Sequence, residues 1–211
     1  MKVVAFNGSP RKEGNTYHAL QAVCAALEAN GIETEIVWTG GQDIKNCRAC
    51  NMCARNRDEK CVLQGDDVNE WIQKMKDADG ILLGAPVHYA GMAAGFKAFL
   101  DRAFYVCGNN GGLLRHTVGA AISAVRRTGG IATVDSMYHY LNYSEMLLPT
   151  SNYWNVTHGT KPGDTVQDAE GMQIMEGLGQ TRAWLLKLKE YGKDAVPAPA
   201  PVKKAFTNFI R

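Results

Sequence analysis

The sequence predicts an α/β domain: a doubly wound, five-stranded parallel sheet with helices on both faces. Three observations carry this. Short apolar or β-branched runs alternate five times with stretches of helical periodicity. One run, ILLGAPV at 81–87, is apolar on both faces, as a strand inside a parallel sheet must be. The chain of 211 residues has the length of one such domain with its own core. Strict β and α alternation then implies right-handed βαβ crossovers.

The elements follow in order. Val3 to Phe6 reads as the first strand, closed by Asn7-Gly8. Leu20, Val23, Cys24 and Leu27 recur at i, i+3, i+4, i+7, one face of a helix that Gly31 stops. Thr34 to Thr39 is the second strand, and a long cysteine-bearing loop follows it. Asp67 and Glu70 have capping-box spacing, ahead of a helical stripe of Val68, Trp71, Ile72 and Met75. Ile81 to Val87 is the third strand, and Phe96, Phe99, Leu100 and Ala103 mark the helix after it. Thr117 to Val125 is the fourth strand, with a helix expected over 133–147. Tyr153 to Thr157 is the fifth strand, and the last helix runs from about Ala169 to Tyr191. Residues 1–193 are thus one domain containing a cysteine loop at 43–65. The Pro/Ala-rich segment 194–211 is a tail, either a loose extension or an arm packing Phe206, Phe209 and Ile210 on a neighbouring subunit.

Charge and hydropathy exclude some classes of function. A formal net charge of +2 gives no general attraction to nucleic acid or anionic membrane. No apolar run reaches transmembrane length. MKVVAFNGSP has no signal-peptide character, so the expectation is a cytoplasmic protein whose thiols stay reduced. In a parallel sheet every strand-to-helix loop emerges at one carboxyl edge, where ligands bind. Those loops hold GSPRKEGNT, the cysteine loop, PVHYAG, VRRTGG and HGTKPGD, so the unusual chemistry gathers on one edge.

GSPRKEGNT, residues 8–16, joins the first strand to the first helix. It offers hydroxyls at Ser9 and Thr16, an amide at Asn15, and glycines for a tight turn. The helix behind it points free N–H groups at the loop, which suits a phosphate. It has neither the Walker A spacing nor G-x-G-x-x-G, which disfavours a Rossmann dinucleotide site and suits one terminal phosphate, such as that of FMN. An ordinary turn with an N-cap is the alternative.

Four cysteines, Cys47, Cys50, Cys53 and Cys61, form C-x2-C-x2-C-x7-C. The first three have the spacing that wraps three corners of a cubane, and Cys61 supplies a fourth thiolate. Zinc in the same thiolates, or no metal at all, remain open readings. Cys24 and Cys107 read as buried or incidental thiols. Arg55, Arg57 and Lys60 are either a solvated face or a patch for an anionic partner.

These residues carry a resemblance. GSPRKEGNT resembles the phosphate loop of the flavodoxin-like NADPH-dependent FMN reductases, and GAPVHYAGMAAGFKAFLDR (84–102) is similar to that family's second flavin loop and its helix. With the four-cysteine spacing, NYWNVTHG and DAEG, the chain resembles the iron–sulfur flavoprotein branch as far as about Tyr191. The resemblance implies a flavodoxin-like fold, strand order 2-1-3-4-5, and bound FMN. It implies phosphate contacts at Ser9, Arg11, Asn15 and Thr16. It implies flavin contacts at Pro86, Val87, His88, Tyr89 and Gly91, and a third flavin-side loop at Arg127, Gly129 and Gly130. It implies a [4Fe–4S] cluster on Cys47, Cys50, Cys53 and Cys61, and a dimer or tetramer in which that cluster approaches a neighbour's FMN.

His88 stands where the family usually has Tyr, and Ala90 where it often has Gly. His88 is the one candidate for a catalytic side chain, as a proton donor, with a packed or solvated histidine as the alternative. Tyr153 and Trp154 either stack near a flavin, shape an interface or fill the core. Asp101 and Arg102 read as a structural ion pair. Three functions remain. One is a reductase moving electrons from NAD(P)H to a small acceptor such as a quinone, flavin, nitro or azo compound. The second is an electron-transfer module serving a ferredoxin-like carrier. The third is a regulatory flavoprotein, or a zinc-stapled binding protein, with no turnover.

Overall fold

The structure is a computed structural model, and it describes residues 1–202, 204–207 and 209. Five strands form one parallel sheet: β1 (Lys2–Asn7), β2 (Glu33–Trp38), β3 (Gly80–Pro86), β4 (Val118–Val125) and β5 (Val156–His158). Their order is β2-β1-β3-β4-β5, as the resemblance implies. Six α-helices connect or follow them: α1 (Asn15–Glu28), α2 (Met52–Asn56), α3 (Val68–Asp77), α4 (Ala94–Asn109), α5 (Gly130–Tyr143) and α6 (Ala169–Gly192). A 3-10 turn, Asp164–Gln167, precedes α6.

Alternation along the central strands divides the core in two. Val4, Phe6, Ile81, Leu83 and Ala121 point to one side, against α3, α4 and α5. Val3, Ala5, Leu82, Ala120 and Ile122 point to the other, against α1 and α6. Every residue of β4 is buried, which explains why its sequence shows no polar face. Register aligns the carboxyl ends: Asn7 pairs with both Trp38 and Gly84, and Pro86 with Ala124. The loops after these strands therefore share one edge.

Four details differ from the sequence expectation. Asp67 stands at the N-cap of α3 but makes no capping bond; its carboxylate accepts from Gln42 Nε2 instead. The helix expected to reach 147 ends at Tyr143, because Leu147 joins β4, donating to Thr117 O (3.0 Å) and accepting from Gly119 N (2.9 Å). The fifth strand starts at Val156, because the buried Asn155 turns its side chain onto Ala121 O (3.1 Å) and Tyr138 Oη (2.8 Å). The five-residue α2 inside the cysteine loop carries no periodic signal at all. In the tail, Arg115 Nη1 donates to Pro199 O (2.8 Å), and Lys204 Nζ donates to Tyr143 Oη (3.2 Å). Phe206 and Phe209 are exposed. Ile210, the third residue of the expected arm, lies outside the described residues. No described helix is long and apolar enough to cross a membrane.

Candidate functional site

The loop after β1 is held from within. Asn7, fully buried, accepts the Ser9 amide at Oδ1 (3.1 Å) and donates Nδ2 to Lys12 O (2.9 Å). Ser9 Oγ accepts the Arg11 amide (3.1 Å), and Trp38 Nε1 donates to Ser9 O (2.8 Å). Two glycines permit the close approach. A Cβ at Gly40 would lie 1.9 Å from Ser9 O, and one at Gly8 would lie 2.2 Å from the Phe96 ring. The loop is thus held by the protein's own groups, which lowers the ordering cost of binding.

This loop leaves one hydroxyl unanswered. Thr16, in the first turn of α1, is 1% exposed, and its Oγ1 has no hydrogen-bond partner. The N-cap residue Gly14 brings no side-chain oxygen to the first amides of α1. A buried polar atom without a partner needs a reason. Here it sits beside uncapped amides at the positive end of a helix dipole, which together suit an anion.

A cavity of about 280 Å³ opens over these groups. It brings together Ser9, Arg11, Asn15 and Thr16 with Pro86, Val87 and His88. Asn15 has a second task, since its Oδ1 accepts the Thr165 amide (3.3 Å). Gly159 and Thr160, after β5, also line the cavity. Topology puts that loop on this edge, but no chemical signature in the sequence singles out those two residues.

A second cavity, of about 630 Å³, lies beyond Val125, which lines both. Arg127, Gly129 and Gly130 belong to this one, with Tyr153 and Trp154. Those two aromatic rings are exposed rather than part of the core, with centroids 6.1 Å apart. His158 and Asp168 also face it. Asp168 Oδ2 accepts the His158 amide (2.7 Å) and lies 3.3 Å from His158 Nδ1, while Oδ1 accepts the Gly171 amide (3.0 Å) and so caps α6. Burial pushes the Asp168 carboxyl up, but these donors outweigh it and hold it below its ordinary value. Tyr89 and Gly91 line neither cavity. They form a tight turn in which His88 N donates to Gly91 O (2.7 Å), and Tyr89, at φ 60°, points its ring to solvent.

The cysteine loop stands apart from both. Cys47, Cys50, Cys53 and Cys61 line one small cavity with Leu63, Arg102 and Tyr105. Its free space is about 20 Å³, room for about one water. Among the described residues no three His, Cys, Asp or Glu side chains converge on a point that would hold a single ion. Ala49, Asn51, Arg57 and Glu59 all have positive φ, between 50° and 59°. Such strain in non-glycine residues persists only where surroundings impose it. Tyr105 Oη donates to Asn51 Oδ1 (2.5 Å), and Asn110 holds both Cys53 O (3.4 Å) and the Glu59 amide (3.1 Å). Asn69 bonds the Cys61 amide (2.7 Å) and carbonyl (2.9 Å).

Asp101 and Arg102 do not pair with each other, contrary to the sequence reading. Asp101 takes Lys97 Nζ (2.7 Å) and the Tyr140 hydroxyl. Arg102, whose side chain is wholly buried, is paired with Asp66. It also donates to Lys45 O (3.3 Å), Leu63 O (3.1 Å) and Cys61 Sγ (3.4 Å). Burial pulls the guanidinium pKa down, and Asp66 and Cys61 more than restore it. Burial pushes the Cys53 thiol up, and raises Cys24 to about 11 and Cys107 to about 12, so the last two are inert core thiols. Arg55, Arg57 and Lys60 are exposed.

Comparison with known proteins bears on the family and the fold. The family described as NADPH-dependent FMN reductase matches residues 1–161. An iron-sulfur flavoprotein of Methanocaldococcus jannaschii is 35% identical over 195 residues, covering 89% of this chain and 98% of that protein. An iron-sulfur flavoprotein of Methanosarcina thermophila is 30% identical, covering 92% and 100% respectively. In three dimensions, a flavodoxin from the domain Archaea superimposes with a TM-score of 0.57 at 13% identity, covering 89% of this chain and 99% of that one. The last likeness bears on the fold alone.

Proposed function

The chain belongs to the NADPH-dependent FMN reductase family, and from that premise we propose that it is an iron–sulfur flavoprotein in which FMN and a [4Fe–4S] cluster work together. Family membership makes it a flavin-dependent oxidoreductase. The finer reading is that it moves electrons between NAD(P)H or a ferredoxin-like carrier and a small acceptor. It acts as a homo-oligomer, dimer or tetramer, in the cytoplasm.

The observation that carries this reading is that four thiols spread over 47–61 line one cavity. Their donor set is the all-thiolate set of a cubane, with the C-x2-C-x2-C spacing that serves three of its corners. Left-handed Ala49 and Asn51 flank Cys50 in the chain. Cys50 is the exposed member of the four, and Cys53 the buried one.

FMN supplies the exchange between hydride and single-electron chemistry, and the protein's part is to bind and orient it. Thr16, Ser9, Arg11 and the first amides of α1 would hold the phosphate. The 86–91 loop and Arg127, Gly129 and Gly130 would hold the flavin side. His88 lines the phosphate-loop cavity and is the candidate in the 86–91 loop for handing on a proton.

A second reading rests on the small size of the thiol cavity. In it the thiols stay empty and the protein is a cluster-free NAD(P)H-dependent FMN, quinone, nitro or azo reductase. One experiment separates the two. Protein purified without oxygen is measured for FMN, iron and sulfide per chain, then reduced with NADPH or with reduced ferredoxin and followed by visible absorption and electron paramagnetic resonance. Iron, sulfide and a resonance signal lost in Cys50→Ser support the first reading. FMN without iron, with rapid NADPH oxidation, supports the second. Colourless protein that takes up neither FMN nor iron overturns both.

A further inference from the structure

The buried Arg102 has no task in binding FMN, and its position is unusual for a charge. It sits on α4, yet every polar contact it makes goes to the cysteine loop or to Asp66 just after it. Its Nε donates to Cys61 Sγ at 3.4 Å. Its Nη atoms hold Lys45 O at 3.3 Å and Leu63 O at 3.1 Å, and Asp66 closes the arrangement as an ion pair whose side chains are 0% and 1% exposed. A buried charge is kept only where it is paired and hydrogen-bonded, and this one is both.

We propose that Arg102 is a positioning residue for the fourth thiolate: it fixes Cys61 in place and sets the electrostatic potential felt by whatever the four thiolates hold, with Asp66 as the opposing charge. This rests on the iron–sulfur reading above. The physics has a definite sign. Adding one electron to a thiolate-bound cluster adds one negative charge and no proton. A guanidinium and an N–H donor at a ligating sulfur favour that added charge and raise the reduction potential. A carboxylate in the same shell opposes it and lowers the potential. Because both groups are out of water, neither effect is screened as it would be at the surface.

The alternative role for Arg102 is a simple clamp that keeps the loop folded. The two roles separate in the opposite signs of two substitutions. Removing Arg102 or removing the Asp66 charge each breaks the same buried ion pair, so a clamp would suffer alike from both. An electrostatic partner would shift the potential down in one case and up in the other.

The test uses the full chain, with wild type, Arg102→Lys, Arg102→Gln and Asp66→Asn prepared without oxygen and reconstituted with ferrous iron and sulfide. Iron and sulfide are counted, and the midpoint potential is measured by titration with dithionite, read by electron paramagnetic resonance. The order expected, from most negative to most positive, is Arg102→Gln, Arg102→Lys, wild type, Asp66→Asn. Lys keeps the charge but loses the Nε–H to Sγ contact, hence its intermediate place. If Arg102→Gln loses its iron, Arg102→Lys and Asp66→Asn still carry the test, and opposite shifts in those two support the proposal. Shifts of one sign, no shifts in loaded variants, or iron lost from both Arg102→Lys and Asp66→Asn overturn it. A wild-type chain that takes up no iron overturns the cluster reading and this inference together, whereas a loaded wild type with unmoved variants overturns the inference alone.

Discussion

Thr16→Val gives the most direct test of the phosphate loop, because it has two expected effects of opposite sign. Valine has the shape of threonine, so packing around the position, which is 1% exposed, is preserved. No group of the protein partners the Thr16 Oγ1. Removing a buried hydroxyl that bonds nothing is neutral or stabilising, by up to about 1 kcal/mol. In a protein of this size that raises Tm by about 2–4 °C. With FMN the sign reverses. A hydrogen bond to a charged phosphate contributes about 1.5–3 kcal/mol, which at 1.4 kcal/mol per decade is a Kd weakened about 10- to 150-fold. The assay is quenching of FMN fluorescence against protein concentration, beside thermal unfolding of the cofactor-free chain. Thr16→Ser, which keeps the hydroxyl, is expected to retain most of the affinity. Unchanged FMN affinity in Thr16→Val would refute the assignment of this hydroxyl to the phosphate. A cofactor-free Tm that falls by several degrees would refute the claim that the hydroxyl is unpartnered.

Gly40→Ala is expected to push the Ser9 carbonyl, 1.9 Å from the new methyl, and so to cost about 1–3 kcal/mol of stability and most FMN binding. Gly108→Ala, in open space within α4, is the control, and urea unfolding is expected to find it as stable as wild type or up to ~1 kcal/mol more so. Arg182 is fully buried, with Nη2 on Ile81 O (3.1 Å) and with Nε and Nη1 unpartnered, and burial pulls its pKa down to about 10. Arg182→Met is therefore expected to raise stability by about 1–4 kcal/mol in urea unfolding, and a loss would contradict the unpaired-charge account. Asp168→Ala removes the α6 cap and is expected to cost about 1 kcal/mol at pH 7. Since the folded Asp168 carboxyl titrates below its ordinary 3.8, its contribution is complete above that pH and fades as pH falls through the lowered value. The gap between variant and wild type should close in acid, and a gap that stays constant to pH 2 would remove the carboxylate from the account.

Periodicity and turn chemistry made most of the fold legible. The both-faces-apolar run at 81–87 is legible because a buried parallel strand leaves no other pattern, and β3 occupies it with only its last residue partly exposed. Boundaries failed where a side chain competes with the ladder, as at Asn155, or where a residue past a helix is taken into the sheet, as at Leu147. Pairings far apart in sequence left no trace. Asp66 and Arg102 are 36 positions apart, and no local rule joins them. The misread pair has a simple cause. Residues i and i+1 on a helix point about 100° apart, so Asp101 meets Lys97, one turn back, while Arg102 turns toward the loop. In the first loop the residue types Ser9, Asn15 and Thr16 were readable, but the burial that strips Thr16 of partners depends on the packing of α1.

The thiol loop follows the edge strand β2, where a long insertion would ordinarily be loose. It is not loose, and the reason is α4. Near its start, Phe96 packs under Gly8 of the phosphate loop. Two turns on, Arg102 grips the loop at Lys45, Cys61, Leu63 and Asp66. At its end, Asn110 holds Cys53 and Glu59. A helix of 16 residues is a rod about 24 Å long. The two candidate sites are therefore both braced by one helix, which the aromatic contacts of Phe96 and Phe99 anchor in the core. Groups bound at both sites would be held at a fixed separation by such a mount. Within it, Phe96 faces the phosphate loop and Arg102 the thiol loop.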